Sequence, residues 1–353
     1  MTSRIHIFDH FIHKLGELDN IATTPRSLVL NGYGRCEFSM STSDPKCNER
    51  LLQYGNLIHV EHIPSKDENG NINGRLPDWT GIILPPRDWD FGVIHVNAFS
   101  AEAILSFRAM PYISISGTPK TLFKKILDAS HAIAKNIVIQ PGTIDDLPMT
   151  LTDNLRTNGY SHIQKLIKDS GMDWNIEGQI NSKGNLELYA NLYNRKGIDT
   201  PLNLNNVNAE LSSPSLTEQG TLSNHVIGHS QAQTDRGRFT KESIDQSSVD
   251  DYGSLQLNQD YLGRTDPASV QNASDARVNK RSRPVKIIKR NALDVGGTFN
   301  YLNTGNVILV KDTSVGFNPN GGFGFEAYFK IISIDYNDLS NKAPLNLEFV
   351  KEF

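Results

Sequence analysis

Two nine-residue stretches near opposite ends of the chain carry one pattern: residues 52–60 read LQYGNLIHV and residues 302–310 read LNTGNVILV. Each has a leucine, two spacers, Gly-Asn, and then four residues that carry Ile and end in Val. A Gly-Asn turn feeding an apolar, β-branched run marks a turn that launches a strand. Each copy is followed by a loop and an apolar strand, WTGIIL at 79–84 and AYFKIISI at 327–334. The pattern points to one β-unit used twice. The competing reading is chance likeness between two hairpins.

At 353 residues the chain exceeds one ordinary core and is expected to divide into about two to four domains. A net charge of −4 and a pI near 6.2 argue against a nucleic-acid-binding surface. The basic run KRSRPVKIIKR (280–290) alternates and reads as a solvated strand rather than a DNA patch. No apolar run of about 18 residues is present, so no transmembrane helix is expected. The N-terminal MTSRIHIFDHFIHKLG carries His, Asp and Lys where a secretory signal needs an apolar centre. Cys36 and Cys47 are the two cysteines; they could pair, but reduced thiols are the default for a protein made in the cytosol.

RIHIF (4–8) alternates as a strand, and FIHKLGEL (11–18) fits a single helical turn or a bent strand. SLVLNGYGRCEFSMS (27–41) reads as a hairpin turning at Asn31-Gly32. PSKDENGNINGRLPD (64–78) reads as an exposed loop tip, and WTGIIL and VIHVNAFS (93–100) bracket PPRDWDFG as another hairpin. This succession of short strands predicts a small barrel or sandwich. Helices are predicted at 118–136, with Thr118 as cap and Leu122, Ile126, Ala129 and Ile133 on one face, and at 159–172, ending at Gly171. WNIEGQI (174–180) and LELYANLY (186–193) form a further hairpin, so the middle block reads as α+β. Strands return at 201–211 and, less clearly, through 222–232. From about 213 to 282 the chain is poor in large apolar residues. It reads as an inserted, partly ordered excursion against a disordered alternative, with GRFTKESI (237–244) as a strand and 266–280 as a short solvated helix. The chain ends in a Gly-rich loop (316–326), the strand AYFKIISIDYN (327–337) and a closing strand, LNLEFVKEF (345–353).

No constellation for catalysis, cofactor or metal is evident. His6, His10 and His13 lie close together, but RIHIF is a strand and not the helix that would align two imidazoles. His59 and His62 fall on opposite strand faces. Asp88, Asp90, Glu187, Asp250 and Asp251 read as solvated charges, and no nucleophile, phosphate or dinucleotide motif appears. The Gly-rich GGFGFE precedes a strand, not the helix a phosphate cradle needs.

The order of these motifs resembles the siphophage tail hub family, also called tail-associated or baseplate hub proteins. The matching positions are Leu52, Gly55 and Asn56, followed by Trp79-Thr80-Gly81-Ile82. NAFSAEAILSFR looks like the family's exit from its first barrel, and GNVILV and IISIDYN resemble its C-terminal barrel. The likeness spans nearly the whole chain, strongest over 1–110 and 300–353. The stretch 213–282 has no counterpart, and the sequence ends at Phe353 without the extension that carries lysin domains in many tail-associated lysins.

The resemblance implies a mainly β chain with an α+β part: two similar antiparallel β-barrel tube domains plus a mixed α/β middle domain. The divisions expected are 1–115 for the first tube-type barrel and 116–198 for the middle domain. Residues 199–244 and 284–353 make the second barrel, and 245–283 a polar insertion. It also implies a non-enzymatic virion protein at the tail tip, made in the host cytoplasm. Homotrimers would form a pseudo-sixfold ring, with the distal tail ring, tip fibre or spike, and tape measure protein as partners. The acidic balance suits a conduit that passes DNA without binding it. Gly55, Asn56, Gly305 and Asn306 are expected to be structural turns of the repeated barrels. Two other readings are a cell-wall-degrading tail enzyme and a receptor- or carbohydrate-binding tip module using Trp79, Trp89 and Trp174. Trp in hairpins is more often core or interface.

Overall fold

The computed structural model describes residues 2–18, 21, 24–63, 74–133, 136–205, 209, 215–219, 222–230, 238–261, 264, 266–283, 285–295, 297–317, 323–336 and 342–352. Most of the loop tip at 64–78, the centre of the Gly-rich loop at 318–322 and parts of the polar stretch lie outside these residues.

Alternation in RIHIF becomes strand β1 (Thr2–Phe8), with Ile5 and Ile7 fully buried. The segment 11–18 resolves as a turn and strand β2 (Lys14–Leu18). β3 (Arg26–Val29) and β4 (Arg35–Ser41) flank the Asn31-Gly32 turn, and Cys36, Phe38 and Met40 share one buried face. No disulfide joins Cys36 to Cys47. The single-turn helix α1 (Glu49–Leu52), capped by Asn48, leads into β5 (Leu57–Ile63). β6 (Trp79–Asp90) and β7 (Val93–Ser100) form one long hairpin. The prolines at 85 and 86, read from sequence as part of its turn, instead lie in a bulge between Ile83 and Arg87. There a missing N–H leaves no gap in the ladder, and the turn itself shrinks to Phe91-Gly92.

A 3-10 turn (Ala101–Phe107) enters the middle block. Its elements are β8 (Ile113–Gly117), α2 (Pro119–Ile133), β9 (Ile139–Ile144), β10 (Leu151–Leu155), α3 (Gly159–Ser170), β11 (Asp173–Ile180) and β12 (Leu186–Tyr193). Both helices obey their apolar period: Leu122, Phe123, Ile126 and Leu127 of α2 meet Ile163 and Leu166 of α3 around Trp174. Gly171 ends α3 in the left-handed region, as its position predicts. β11 and β12 pair antiparallel and β9 adds parallel, giving the mixed character expected of this block.

Beyond it come β13 (Asp199–Leu204) and β14 (Ser215–Gln219). Next is a small module of β15 (His225–Ser230), β16 (Thr240–Ile244), α4 (Gln246–Tyr252), β17 (Gln256–Tyr261) and α5 (Pro267–Arg281). Residues 225–244, grouped from sequence with the second barrel, pair here with one another and with β17. The solvated helix expected at 266–280 is α5, but it is not solvated all round. Val270, Ala273, Ser274 and Val278 are buried, and Arg264 pairs with Asp169 of α3 at 2.7 Å. The chain closes with β18 (Val285–Leu293), a 3-10 turn (Thr298–Tyr301), β19 (Val307–Phe317), β20 (Phe323–Tyr336) and β21 (Lys342–Glu352).

The architecture is mainly β, with one large, chiefly antiparallel sheet and smaller mixed sheets. The large sheet holds two six-strand runs with one plan. The first is ordered β1-β5-β6-β7-β4-β3 and the second β13-β19-β20-β21-β18-β14. Their members occur in the same succession along the chain, so the neighbour order and the connections both repeat. The runs differ at one end, where β1 meets β5 antiparallel but β13 meets β19 parallel. They differ again between β14 and β18, where the module of residues 225–281 takes the place of the short β3–β4 turn. β3 joins the runs by pairing with the last residues of β20, Val29 opposite Ser333 through Arg26 opposite Tyr336. Each run has its own apolar core, and the middle block a third. Among the described residues neither run closes hydrogen bond to hydrogen bond into a barrel. The second run nonetheless curls: β14 draws near β19, and Arg290 of β18 forms an ion pair with Asp312 of β19 across two intervening strands.

Candidate functional site

The two Gly-Asn turns have the same internal wiring. Gly55 takes φ 90° and Gly305 φ 93°, values that favour a residue without Cβ. The Gly55 N–H donates to Ile83 O at 2.9 Å and the Asn56 carbonyl accepts from Ile83 N at 2.9 Å. In the other copy Gly305 N reaches Ile331 O at 2.8 Å, and Asn306 O accepts from Ile331 N at 2.9 Å. Each asparagine amide turns back on the preceding helical turn, Asn56 Nδ2 to Arg50 O (2.9 Å) and Leu51 O (3.1 Å), Asn306 Nδ2 to Tyr301 O (2.9 Å). Asparagine fits because its short amide satisfies carbonyls that a helix end leaves unpaired. Leu52 and Leu302 are buried alike, each 1% exposed.

Their surroundings differ. A Cβ on Gly55 would meet nothing within 4 Å, whereas one on Gly305 would lie 2.5 Å from Lys196 O. Ile198 N donates to Asn306 Oδ1 at 3.1 Å, and Val307 N to Ile198 O at 2.9 Å. The second turn is thus seated on the chain leaving the middle block, and the first is open.

Beside that seat the three units meet. Asp173 of β11 accepts from Asn31 Nδ2 (2.8 Å), Lys196 N (2.9 Å) and Lys330 Nζ (2.6 Å), gathering the β3–β4 turn, the linker and β20. A cavity of about 270 Å³ lies nearby, lined by Leu28, Trp79, Glu102, Glu177, Lys196 and Thr304 among others. Glu102 is buried and accepts from Ile176 N (2.9 Å) and Ser100 Oγ (2.6 Å). Burial raises its carboxyl pKa above the ordinary value, against the pull of those two hydrogen bonds. In acid both folded and unfolded chains hold this proton. As pH rises past about 4.3 the unfolded chain ionises first, so the folded state loses stability until the folded pKa is passed. Glu102→Gln is therefore expected to flatten that decline, gaining on the wild type as pH rises. Urea midpoints measured across the acid range check this, and parallel curves would refute it.

The remaining sequence candidates do not assemble into chemistry. The His6 and His59 rings lie tilted to each other with centroids 6.2 Å apart, and burial lowers the His59 pKa. No group of three or more metal-ligating side chains occurs among the described residues. Asp88, Asp90, Asp250 and Asp251 are exposed, and Glu187 is tied to Asn181 and Tyr189. Trp79 and Trp174 are buried, at 1% and 0% exposure, leaving Trp89 on the surface at 62%.

One arrangement that sequence reading missed resembles a triad. His162 Nδ1 sits 2.7 Å from Asp153 Oδ2, and Nε2 sits 3.3 Å from Thr157 Oγ1. Its Nε2 already accepts backbone N–H groups of Arg156 (3.0 Å) and Thr157 (3.3 Å), so the imidazole has no lone pair for a base. Lys165 holds the other Asp153 oxygen at 2.6 Å. The cluster pins the loop before α3.

No family model matches this chain, and no curated protein matches it in sequence. Solved structures do match in fold. Prophage tail protein gp18 from Listeria monocytogenes EGD-e superposes with a TM-score of 0.60 at 13% identity, over 99% of this chain and 95% of that one. The 43 kDa tail protein of prophage MuSo2 from Shewanella oneidensis gives 0.59 at 11%, over 99% and 98%. A tail protein from Neisseria meningitidis MC58 gives 0.55 at 14%, over 99% and 97%. Over its whole length, this chain has the fold of prophage tail proteins.

Proposed function

We propose that the protein is the structural hub of a bacteriophage tail tip. In this reading it closes the tail tube, links the distal tail ring to the tip fibre or spike, and opens for genome ejection. The observation that carries the reading is the repeated six-strand plan within one chain of tail-protein fold. Three such chains present six like units, so one ring matches a sixfold tube on one side and a threefold tip on the other.

Each run is then a tube-type β-barrel unit: residues 1–115 in the first, and 199–219 with 284–353 in the second, the module of residues 225–281 standing apart from both. The middle block 116–198 braces them, and the polar insertion is tied to that block through Arg264 and Asp169. Gly55, Asn56, Gly305 and Asn306 act as structural turns, with no catalytic, metal or cofactor role. A net charge of −4 suits a lumen that DNA traverses without being held. The expected solution mass by light scattering is near three times 39.3 kDa. A clean monomer at high concentration would sink the reading.

A further inference from the structure

The internal repeat assigns a partner to the exposed aromatic tip of the β6–β7 hairpin. Ile83 and Ile331 hold equivalent places, each bonded to the Gly-Asn turn of its run. They face Ala98 and Leu347 respectively. Two residues further back along those partner strands, Val96 faces Arg87 and Leu345 faces Ile334. The bulge in β6 is thus one residue longer than that in β20. Beyond the bulges, Arg87-Asp88-Trp89 falls on Ile334-Asp335-Tyr336, so each copy places an Asp before an aromatic residue.

These equivalent segments have opposite surroundings. In β20 the segment is covered by β3: Leu28 faces Ile334, Ser27 faces Asp335 and Arg26 faces Tyr336. Tyr336 is 3% exposed, with the Arg26 guanidinium 4.4 Å above its ring. In β6 the neighbouring strand β5 begins opposite Ile82, just as β19 begins opposite Lys330. Among the described residues no strand covers β6 beyond that point. Trp89 is left 62% exposed and Phe91 wholly so.

The strand equivalent to β3 is β14, which hydrogen-bonds only to β18 among the described residues and ends the large sheet. Within one chain it lies at the far end of the strand order from β6. We infer that the Arg87–Trp89 edge of β6 receives β14 from a second copy of this chain, antiparallel, in the manner of the β3–β20 seam. The β6 tip carries Asp88 and Asp90 next to Arg87, while in β18 Lys289 stands opposite Ser215 of β14 and Lys286 opposite Glu218. The contact is head-to-tail, the kind that makes a ring when its rotation closes, as the threefold hub reading requires. It rests on the hub reading and supplies the surface by which the copies join.

The test uses the full chain with Cys47→Ser. Cysteines are placed at Leu216 or Thr217 of β14 and at Asp88 or Trp89 of β6, singly and in pairs. Directly opposed strand positions lie within disulfide reach. Under mild oxidation at least one double variant is expected to give covalent multimers. The matching single variants should link into two-chain species only when mixed. Trp89→Ala is expected to raise the concentration at which the assembly dissociates by roughly thirtyfold, the size of an aromatic anchor lost from an interface. The thermal transition of the isolated monomer should stay unchanged. An assembly that forms while no pair cross-links overturns this contact and leaves the hub reading standing. A chain that remains monomeric by light scattering overturns both.

Discussion

Asp312→Ala is expected to destabilise the fold by about 3–5 kcal/mol, because it strands a buried cation. The Arg290 Nη1 group donates to Asp312 Oδ2, and both side chains are only 2% exposed. In the alanine variant the guanidinium keeps its desolvation cost and loses the carboxylate that faces it. Replacing both partners with apolar residues, Arg290→Met with Asp312→Leu, is expected to restore most of the loss or exceed wild type, since neither charge then needs burial. Urea unfolding of the three proteins gives the answer. An alanine variant within about 0.5 kcal/mol of wild type, the range of ordinary surface changes, would show that water reaches the guanidinium and that the second run is less tightly curled than described.

The second large effect separates the two copies of the repeated turn. Gly55→Ala forces a Cβ into backbone near φ 90° with empty space around it, so it should cost only the conformational strain, about 1–3 kcal/mol. Gly305→Ala bears the same strain and drives its Cβ against the Lys196 carbonyl. Relieving that overlap means lifting the linker from its seat, with the Ile198 bonds to Asn306 and Val307, a further cost of about 1–3 kcal/mol. Thermal melts should place Gly305→Ala well below Gly55→Ala. Coincident melts would mean that residues 196–198 do not rest on the second turn.

What the sequence revealed follows from how local each signal is. Gly-Asn turns announce themselves because few residues tolerate positive φ, and the repeated pattern around them marks the two copies. The apolar periods of α2 and α3 were equally plain. Sequence predicts a solvated α5 because its buried positions are Val270, Ala273, Ser274 and Val278, whose small and polar members leave almost no hydrophobic stripe. The β3–β20 seam has no local signature at all, since its partners lie at opposite ends of the chain. Asn31 was legible as a turn, but not as the residue that ties that turn to Asp173 and to Trp174 N. The likeness of Arg87-Asp88-Trp89 to Ile334-Asp335-Tyr336 is hidden by bulges of unequal length. It becomes visible only once strand register is counted.

The β3–β20 seam also sets a timetable for biosynthesis. Val29 must wait for Ser333, its partner 304 positions later (333 − 29). At about 5–20 residues per second that interval is roughly 15 to 60 s. β1, β4, β5, β6 and β7 can pair with one another long before then, while the outer edge of β3 stays bare on the ribosome. A bare strand edge is a template for unwanted pairing. Nascent chains on crowded polysomes are therefore most vulnerable during this window, and the last strands made are the ones that end it.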